Sequence, residues 1–225
     1  MRKPTIAVVL LLGSCPAWAS PIIQDFSFED PLLGGAGAYS YRPTGTAWDF
    51  GPGSDGIVSV GPADVNFGMT SAASGSQAAF IQRVNSQISQ TISGLTIGMS
   101  YRFNFFAATR PDMANSNPFY GGGEDFNVLW NGDLIGYYLP TSTSFVSYPT
   151  NWFIATATSG VLMFQGIDSN TACNQSSNGC DRTAFIDDVA IVTPEPLDAV
   201  LLLSGILLIN FGLRRKAVSR RASGI

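Results

Sequence analysis

Asp125-Phe126-Asn127-Val128-Leu129-Trp130-Asn131-Gly132-Asp133-Leu134-Ile135-Gly136-Tyr137-Tyr138-Leu139 is the stretch from which the fold can be read. Two short β-type runs, 125–130 and 134–139, flank Asn131-Gly132. That dipeptide is the preferred centre of a type I′ turn, because both residues tolerate positive φ and the twist of the turn matches that of the strands. Trp130 and Leu134 are therefore expected to flank a tight antiparallel hairpin.

Similar runs recur on both sides, at 56–60, 77–83, 87–92, 99–109, 144–148, 152–158, 160–166 and 182–192. Ser93-Gly94-Leu95 and Ser159-Gly160 read as further turns. The segment 22–29 alternates as a half-buried strand should and is ended by Asp30-Pro31. A long Gly/Tyr/Pro stretch follows, carrying Tyr39, Tyr41, Trp48 and Phe50, of which Trp48 is assigned to the core. Only the two terminal runs hold a helical period. Many short antiparallel strands in about 170 residues imply an all-β fold, a jelly-roll β-sandwich spanning 20–192. The longest irregular insert runs from Arg110 to Gly123, a length that usually marks a functional or disordered loop.

Composition agrees: 24 glycines, 12% aromatic and 12% charged residues suit short strands and many turns rather than charged helices. Histidine is absent, so no Ser-His-Asp or Cys-His arrangement can be assembled. Adjacent carboxylate pairs include Glu124-Asp125 and Asp187-Asp188. Neighbours on a strand point to opposite faces, so neither pair makes a glycosidase dyad by itself. No catalytic residue is assigned. Between Ser20 and Thr193, fourteen acids face five bases, a balance of −9 that repels phosphate backbones and argues against nucleic-acid partners.

The N-terminus has a basic start, an apolar core from Ile6 to Gly13 and then Ala17-Trp18-Ala19, which matches a secretory signal peptide cleaved after Ala19 (1–19). Leu12-Gly13-Ser14-Cys15 offers a rival reading, a lipoprotein box lipidated on Cys15. With Cys15 removed, Cys173 and Cys180 form an even pair, which in an exported chain reads as a disulfide closing a short loop. A metal site built on them lacks further Cys or His ligands.

Phe26-Ser27-Phe28-Glu29 and Ala184-Phe185-Ile186-Asp187-Asp188-Val189-Ala190-Ile191 resemble the first and last strands of galactose-binding-like jelly rolls, a fold common among bacterial carbohydrate-binding modules. Gly75-Ser76-Gln77-Ala78-Ala79-Phe80-Ile81, 88–95 and 98–105 resemble strands between them, so the likeness runs in order from Ile22 to Val192. The resemblance implies a structural calcium held by Glu29, Asp187 and oxygens near Gly75 to Gln77. The alternative is that Glu29 and Asp187 cap strand ends in water. It also implies a sugar site. Candidates for stacking are Tyr39, Tyr41, Phe119, Tyr120 and Trp152, and for hydroxyl recognition Arg110, Asn115, Asn117 and Glu124; Tyr39, Arg110, Phe119 and Tyr120 head these sets.

The tail, 193–221, has three parts: Pro194-Glu195-Pro196, an apolar run at about 197–213, and a basic end, 214–221, that starts with Arg214-Arg215-Lys216. The run is marginal for a bilayer span, Asp198 and Asn210 interrupt it, and the positive-inside rule keeps the basic end cytoplasmic. Order, spacing and terminal position resemble the PEP-CTERM sorting signal of Gram-negative bacteria. The resemblance implies an exosortase-type processing enzyme as partner, at least transient attachment to the inner membrane, and an exopolysaccharide-rich setting. A plain single-pass anchor is the alternative. Together these features describe an exported, non-enzymatic sandwich in the envelope or extracellular matrix that binds polysaccharide, against the alternative of a structural surface protein without a glycan site.

Overall fold

A computed structural model describes residues 21–111, 124–167 and 182–194. The described residues form a jelly-roll β-sandwich of two antiparallel sheets. The strands are β1 (Tyr39–Tyr41), β2 (Asp49–Phe50), β3 (Ser54–Ser59), β4 (Gln77–Gln82), β5 (Gln87–Ser93), β6 (Ser100–Thr109), β7 (Phe126–Trp130), β8 (Asp133–Tyr138), β9 (Val146–Pro149), β10 (Phe153–Ile154), β11 (Ser159–Gly166) and β12 (Ala184–Val192). The larger sheet runs β1-β3-β4-β12-β6-β10, with β9 also paired to β6; the smaller runs β2-β5-β11-β7-β8.

The hairpin forms as its dipeptide demands. Asn131 and Gly132 adopt φ of 52° and 90°, and Trp130 pairs with Asp133. Asn131 also joins the turn to β11: its N–H donates to the Val161 carbonyl (2.9 Å), and its side-chain oxygen accepts from the Val161 N–H (2.8 Å). Ser159-Gly160 is not a turn but the start of β11. Glycine is needed there for close approach, since a Cβ at Gly160 would meet the Trp130 ring at 2.2 Å.

Strand alternation builds two cores, one on each face of the larger sheet. Between the sheets lie Ile57, Ala79, Ile81, Phe103, Phe105, Ala107, Ala184 and Ile186 from the larger sheet, with Ile88, Ile92, Phe126, Val128, Leu162 and Phe164 from the smaller. Their strand neighbours Val58, Ala78, Phe80, Ala108 and Phe185 point the other way, where Phe67 and Met69 from the β3–β4 connection cover them. This double coverage explains why every residue of β4 is buried. The Asp64 carboxylate shapes the covering loop by accepting the N–H groups of Asn66 (3.0 Å), Phe67 (2.9 Å) and Met69 (3.1 Å). Across the sandwich, the buried Asp55 carboxylate on β3 accepts the N–H of Gln87 at the start of β5 (3.1 Å). Burial pushes its carboxyl up to about 6, although that hydrogen bond and nearby Arg42 pull it down.

Three expectations change. The segment 22–29 is a turn rather than a strand: Asp25 and Phe28 have positive φ, the Phe28 N–H donates to the Asp25 carbonyl (3.1 Å), and the Asp25 carboxylate accepts the Glu29 N–H (2.7 Å). Local side-chain capture has outcompeted a ladder here. A single bridge, Ile22 to Ser93, is what the segment contributes to a sheet. The run 152–158 shortens to β10, because the carbonyls of Ala155 and Thr158 accept N–H groups from the β5–β6 connection. Conversely, β1 and β2 form inside the Gly/Tyr/Pro stretch. Trp48 is core as expected: it is buried, donates its indole N–H to the Asp25 carbonyl (2.9 Å), and packs 4.8 Å from the Phe28 ring.

Candidate functional site

Glu29, Gln77 and Asp187 are indeed brought to one region, but the chemistry of that region is the reverse of a cation site. Alternation along β12 points the Asp187 side chain, like that of Phe185, to the outer face of the larger sheet toward the covering loop, and a β-bulge with Asp188 at φ 47° follows it. Its Oδ2 accepts the N–H groups of Ala73 and Ser74 (both 2.8 Å), and its Oδ1 accepts the Asp188 N–H (2.7 Å). Asp187 is fully buried, and burial pushes its carboxyl up to about 7 against the pull of those donors. Glu29 works on the next residues of the loop. Its Oε1 accepts the N–H groups of Ser76 (2.8 Å) and Gln77 (2.9 Å), and its Oε2 accepts the Ser76 hydroxyl (3.0 Å). The Gln77 amide donates to the carbonyls of Phe28 (2.8 Å) and Pro31 (3.2 Å) and accepts the Leu33 N–H (2.6 Å).

The backbone from Ala73 to Gln77 thus turns N–H groups, not carbonyls, toward both carboxylates, and every carboxylate oxygen is already an acceptor. A calcium ion needs those oxygens free and several more besides. As arranged, Glu29, Gln77 and Asp187 do not fit a calcium ion; they clasp the covering loop to the sheet. Among the described residues no other group of three or more Asp, Glu, Cys or His is placed to hold a metal. The pair Asp187-Asp188 is split by the bulge. Asp125, next to Glu124, is buried and accepts the Tyr137 hydroxyl (3.1 Å). Asp125 and Asp187 thus spend carboxylate oxygens on donors within the fold.

Tyr39 and Arg110 meet through a third residue. Tyr39, 48% exposed on the edge strand, packs edge-on against Phe67 at 5.5 Å and against Tyr41 at 5.7 Å. The Arg110 guanidinium lies 5.0 Å over the same Phe67 ring and donates to the Asn66 carbonyl. Arg110 is only 6% exposed, so its role is to hold the covering loop rather than to meet hydroxyls from solvent. The Tyr41 hydroxyl is tied to Gln82 (2.7 Å). Phe119, Tyr120, Asn115 and Asn117 lie outside the described residues, as do Cys173, Cys180, Glu195, Pro196, Arg214, Arg215 and Lys216. Pro194 is exposed coil two residues beyond β12.

The remaining stacking candidate, Trp152, is placed differently. It lies one residue before β10, whose Phe153 pairs with Tyr101, so the register sets Trp152 beside Arg102 at the β6 edge of the larger sheet. Trp152 is 45% exposed, and the Arg102 guanidinium packs 4.8 Å over its ring. Arg102 makes no hydrogen bond or ion pair with the described residues, and its Nε is enclosed without an acceptor. Asn104, two residues along the same face, has its Oδ1 enclosed without a donor. On the other side of β6, Arg102 pairs with Val192 and Asn104 with the exposed Ala190. Sequence reasoning named Trp152 but missed Arg102 and Asn104. Their signal was a period-two pair of polar residues in a strand whose other face, Tyr101, Phe103 and Phe105, is wholly apolar.

No family model matches the sequence, and no curated protein matches it. Solved structures do. The CBM36-1 domain of a multidomain xylanase from the hindgut metagenome of Trinervitermes trinervoides is 12% identical, with a TM-score of 0.35 over 52% of this chain and 79% of that one. A CBM36 carbohydrate-binding module in complex with calcium and xylotriose is 10% identical, with a TM-score of 0.33 over 51% and 79%. The C-terminal CBM6 of LamC, a marine laminarinase from Zobellia galactanivorans, is 10% identical, with a TM-score of 0.36 over 54% and 83%.

Proposed function

We propose that this chain is an exported, non-catalytic β-sandwich that holds polysaccharide in the cell envelope or extracellular matrix. The observation that carries the binding half is Trp152: a half-exposed indole with no ring partner among the described residues, flanked on one sheet face by polar groups with unmet hydrogen bonds. Sugars are recognised by such a combination, an apolar ring face for their C–H surface and fixed polar groups for their hydroxyls. Trp48 and Trp130, by contrast, are consumed by the core. The absence of histidine and the separation of both acid pairs support a binding rather than a hydrolytic role.

The sorting half rests on the sequence. Cleavage after Ala19 delivers the domain outside, with Cys173 and Cys180 free to pair in an oxidising compartment. The tail then tethers the chain to the inner membrane until an exosortase-type enzyme recognises Pro194-Glu195-Pro196 and releases it. Two measurements test the halves separately. A glycan array probed with the full-length chain should show binding to at least one polysaccharide; silence across the array removes the binding reading. Intact-mass analysis of the protein from its native host should give a chain ending near Pro196, whereas a mass that includes Arg221 means a permanent anchor.

A further inference from the structure

We propose that Arg102, Asn104 and Trp152 form a site for a carboxylate-bearing sugar, a uronic-acid unit of a polysaccharide. The inference rests on the polysaccharide-binding reading above and narrows it to acidic ligands. The argument is an inventory of what this face presents. Arg102 Nε is enclosed and so is Asn104 Oδ1, neither with a partner. The guanidinium Nη groups and the Asn104 amide N–H groups make no hydrogen bond with the described residues, and they are what remains to meet solvent. Arg102 and Asn104 therefore turn only donors outward. A neutral sugar offers hydroxyls that both donate and accept, and it would gain from a mixed lining. A carboxylate accepts only, and it matches a lining made of donors.

Charge points the same way. The sandwich carries fourteen acids against five bases, yet Arg102 has no carboxylate partner among the described residues. An arginine without a carboxylate partner among the described residues in so acidic a body, and held over an indole, is a fixed positive charge awaiting an anion. The stack on Trp152 orients the planar fork and lowers the entropy lost on binding. Leaving the buried Nε and Oδ1 unsatisfied costs stability, and such orphaned groups concentrate where function holds side chains in place. The neighbouring surface is shaped to admit a polymer: Asn104 lies between the exposed Pro149 of β9 and the small, exposed Ala190 of β12.

The test is affinity electrophoresis and calorimetry on the full-length chain in mild detergent, with polygalacturonate, alginate and fully methyl-esterified polygalacturonate as probes. Esterification keeps the sugar and removes the charge. We expect binding to at least one of the two polyuronates and at least tenfold weaker binding to the ester. Arg102→Gln should cost about ten- to hundredfold, the worth of a charge-assisted hydrogen bond, while Arg102→Lys retains part of the affinity. Asn104→Asp, which turns a donor into a like charge, should weaken binding further, and Trp152→Ala should lower it roughly three- to tenfold. Unchanged melting temperatures of the Arg102→Lys and Asn104→Asp variants separate lost binding from lost folding. Equal binding of acid and ester, or affinity that survives Arg102→Gln, overturns the acidic ligand while the polysaccharide reading stands. Binding of neutral glycans on the array with none to either polyuronate does the same. No binding to any glycan overturns both.

Discussion

Asp187→Ala is the sharpest test of the clasp. The substitution removes the acceptor shared by the N–H groups of Ala73, Ser74 and Asp188. An N–H left without a partner in the interior costs ~1–3 kcal/mol. Ala73 is exposed and Ser74 partly so, hence water can reach two of the three, and the low end of that range applies. A credit opposes this loss: the variant no longer buries a carboxyl that burial has pushed up to about 7. That credit grows as the unfolded chain ionises the carboxyl, so it is small near pH 4 and reaches ~4 kcal/mol above pH 7. Near pH 4 the net is a loss of ~2–3 kcal/mol, which for a domain of this size lowers the melting temperature by ~5–10 °C. Thermal denaturation followed by tryptophan fluorescence, with and without calcium, measures it. Asp187→Asn keeps one acceptor but sets an amide against N–H donors, so it should fall between wild type and the alanine variant. Chelation should leave the wild-type midpoint unchanged, because the carboxylate oxygens are spent on N–H groups. A midpoint for Asp187→Ala within about 2 °C of wild type near pH 4, or a wild-type midpoint that drops when calcium is removed, refutes the reasoning.

Two further outcomes follow from the same residues. Gly75 sits at φ +67°, and a Cβ there would lie 2.3 Å from Glu29 Oε1, so Gly75→Ala must strain the backbone and displace the carboxylate; a loss of ~2–4 kcal/mol in a denaturant titration is expected, and a neutral effect means that the Glu29 clasp is not formed. Asp187 and Asp55 are raised from an ordinary 3.8 to about 7 and about 6, so the folded chain keeps protons that the unfolded chain releases. Stability should therefore fall from about pH 4 upward, by about 1.4 kcal/mol per pH unit for each group still protonated in the fold, and level off above about pH 7. Denaturation midpoints that rise between pH 5 and 7 contradict this.

The sandwich was legible because its strands alternate and because Asn131-Gly132 fixes one hairpin register locally. Runs at 77–83, 87–92 and 160–166 reappear as β4, β5 and β11 within a residue or two. The opening segment misled for a physical reason: Phe26 and Phe28, two apart and so on one face of any strand, end up exposed and buried respectively, because the Asp25 carboxylate captures the backbone of the residues after it and imposes a turn. Gly160 misled because glycine marks close approach as well as turns. The resemblance to galactose-binding-like jelly rolls singled out Glu29, Gln77 and Asp187 as one group. It could not say whether the loop between them would turn carbonyls or N–H groups inward, since that depends on backbone direction and not on residue type. Arg110 shows the same limit: a charged residue at the mouth of a long insert reads as a ligand contact, and the structure buries it over Phe67.

These corrections decide where on the molecule a ligand can be held. The covering loop, clasped by Glu29 and Asp187 and weighted by Arg110 on Phe67, closes the middle of the larger sheet's outer face. What stays open on that face are its two margins. At the β1 margin, Tyr39 turns its edge to Phe67 and the Tyr41 hydroxyl is bonded to Gln82, so these rings chiefly extend the satellite core. At the β6 margin, the side chains of Trp152 and Arg102 engage, among the described residues, only each other, and the Asn104 side-chain oxygen beside them has no donor among those residues. The bulge that follows Asp187 in β12, braced by the Asp188 N–H on the Asp187 carboxylate, shifts the register so that Ala190 and Val192, rather than their neighbours, stand opposite Asn104 and Arg102. Asp187 thus both clasps the loop over the centre of the sheet and braces the bulge that shapes the open margin. That coupling gives Asp187→Ala a second consequence: if the bulge relaxes, polyuronate binding at Arg102 weakens along with stability, whereas Gly75→Ala, which disturbs only the loop, leaves binding in place.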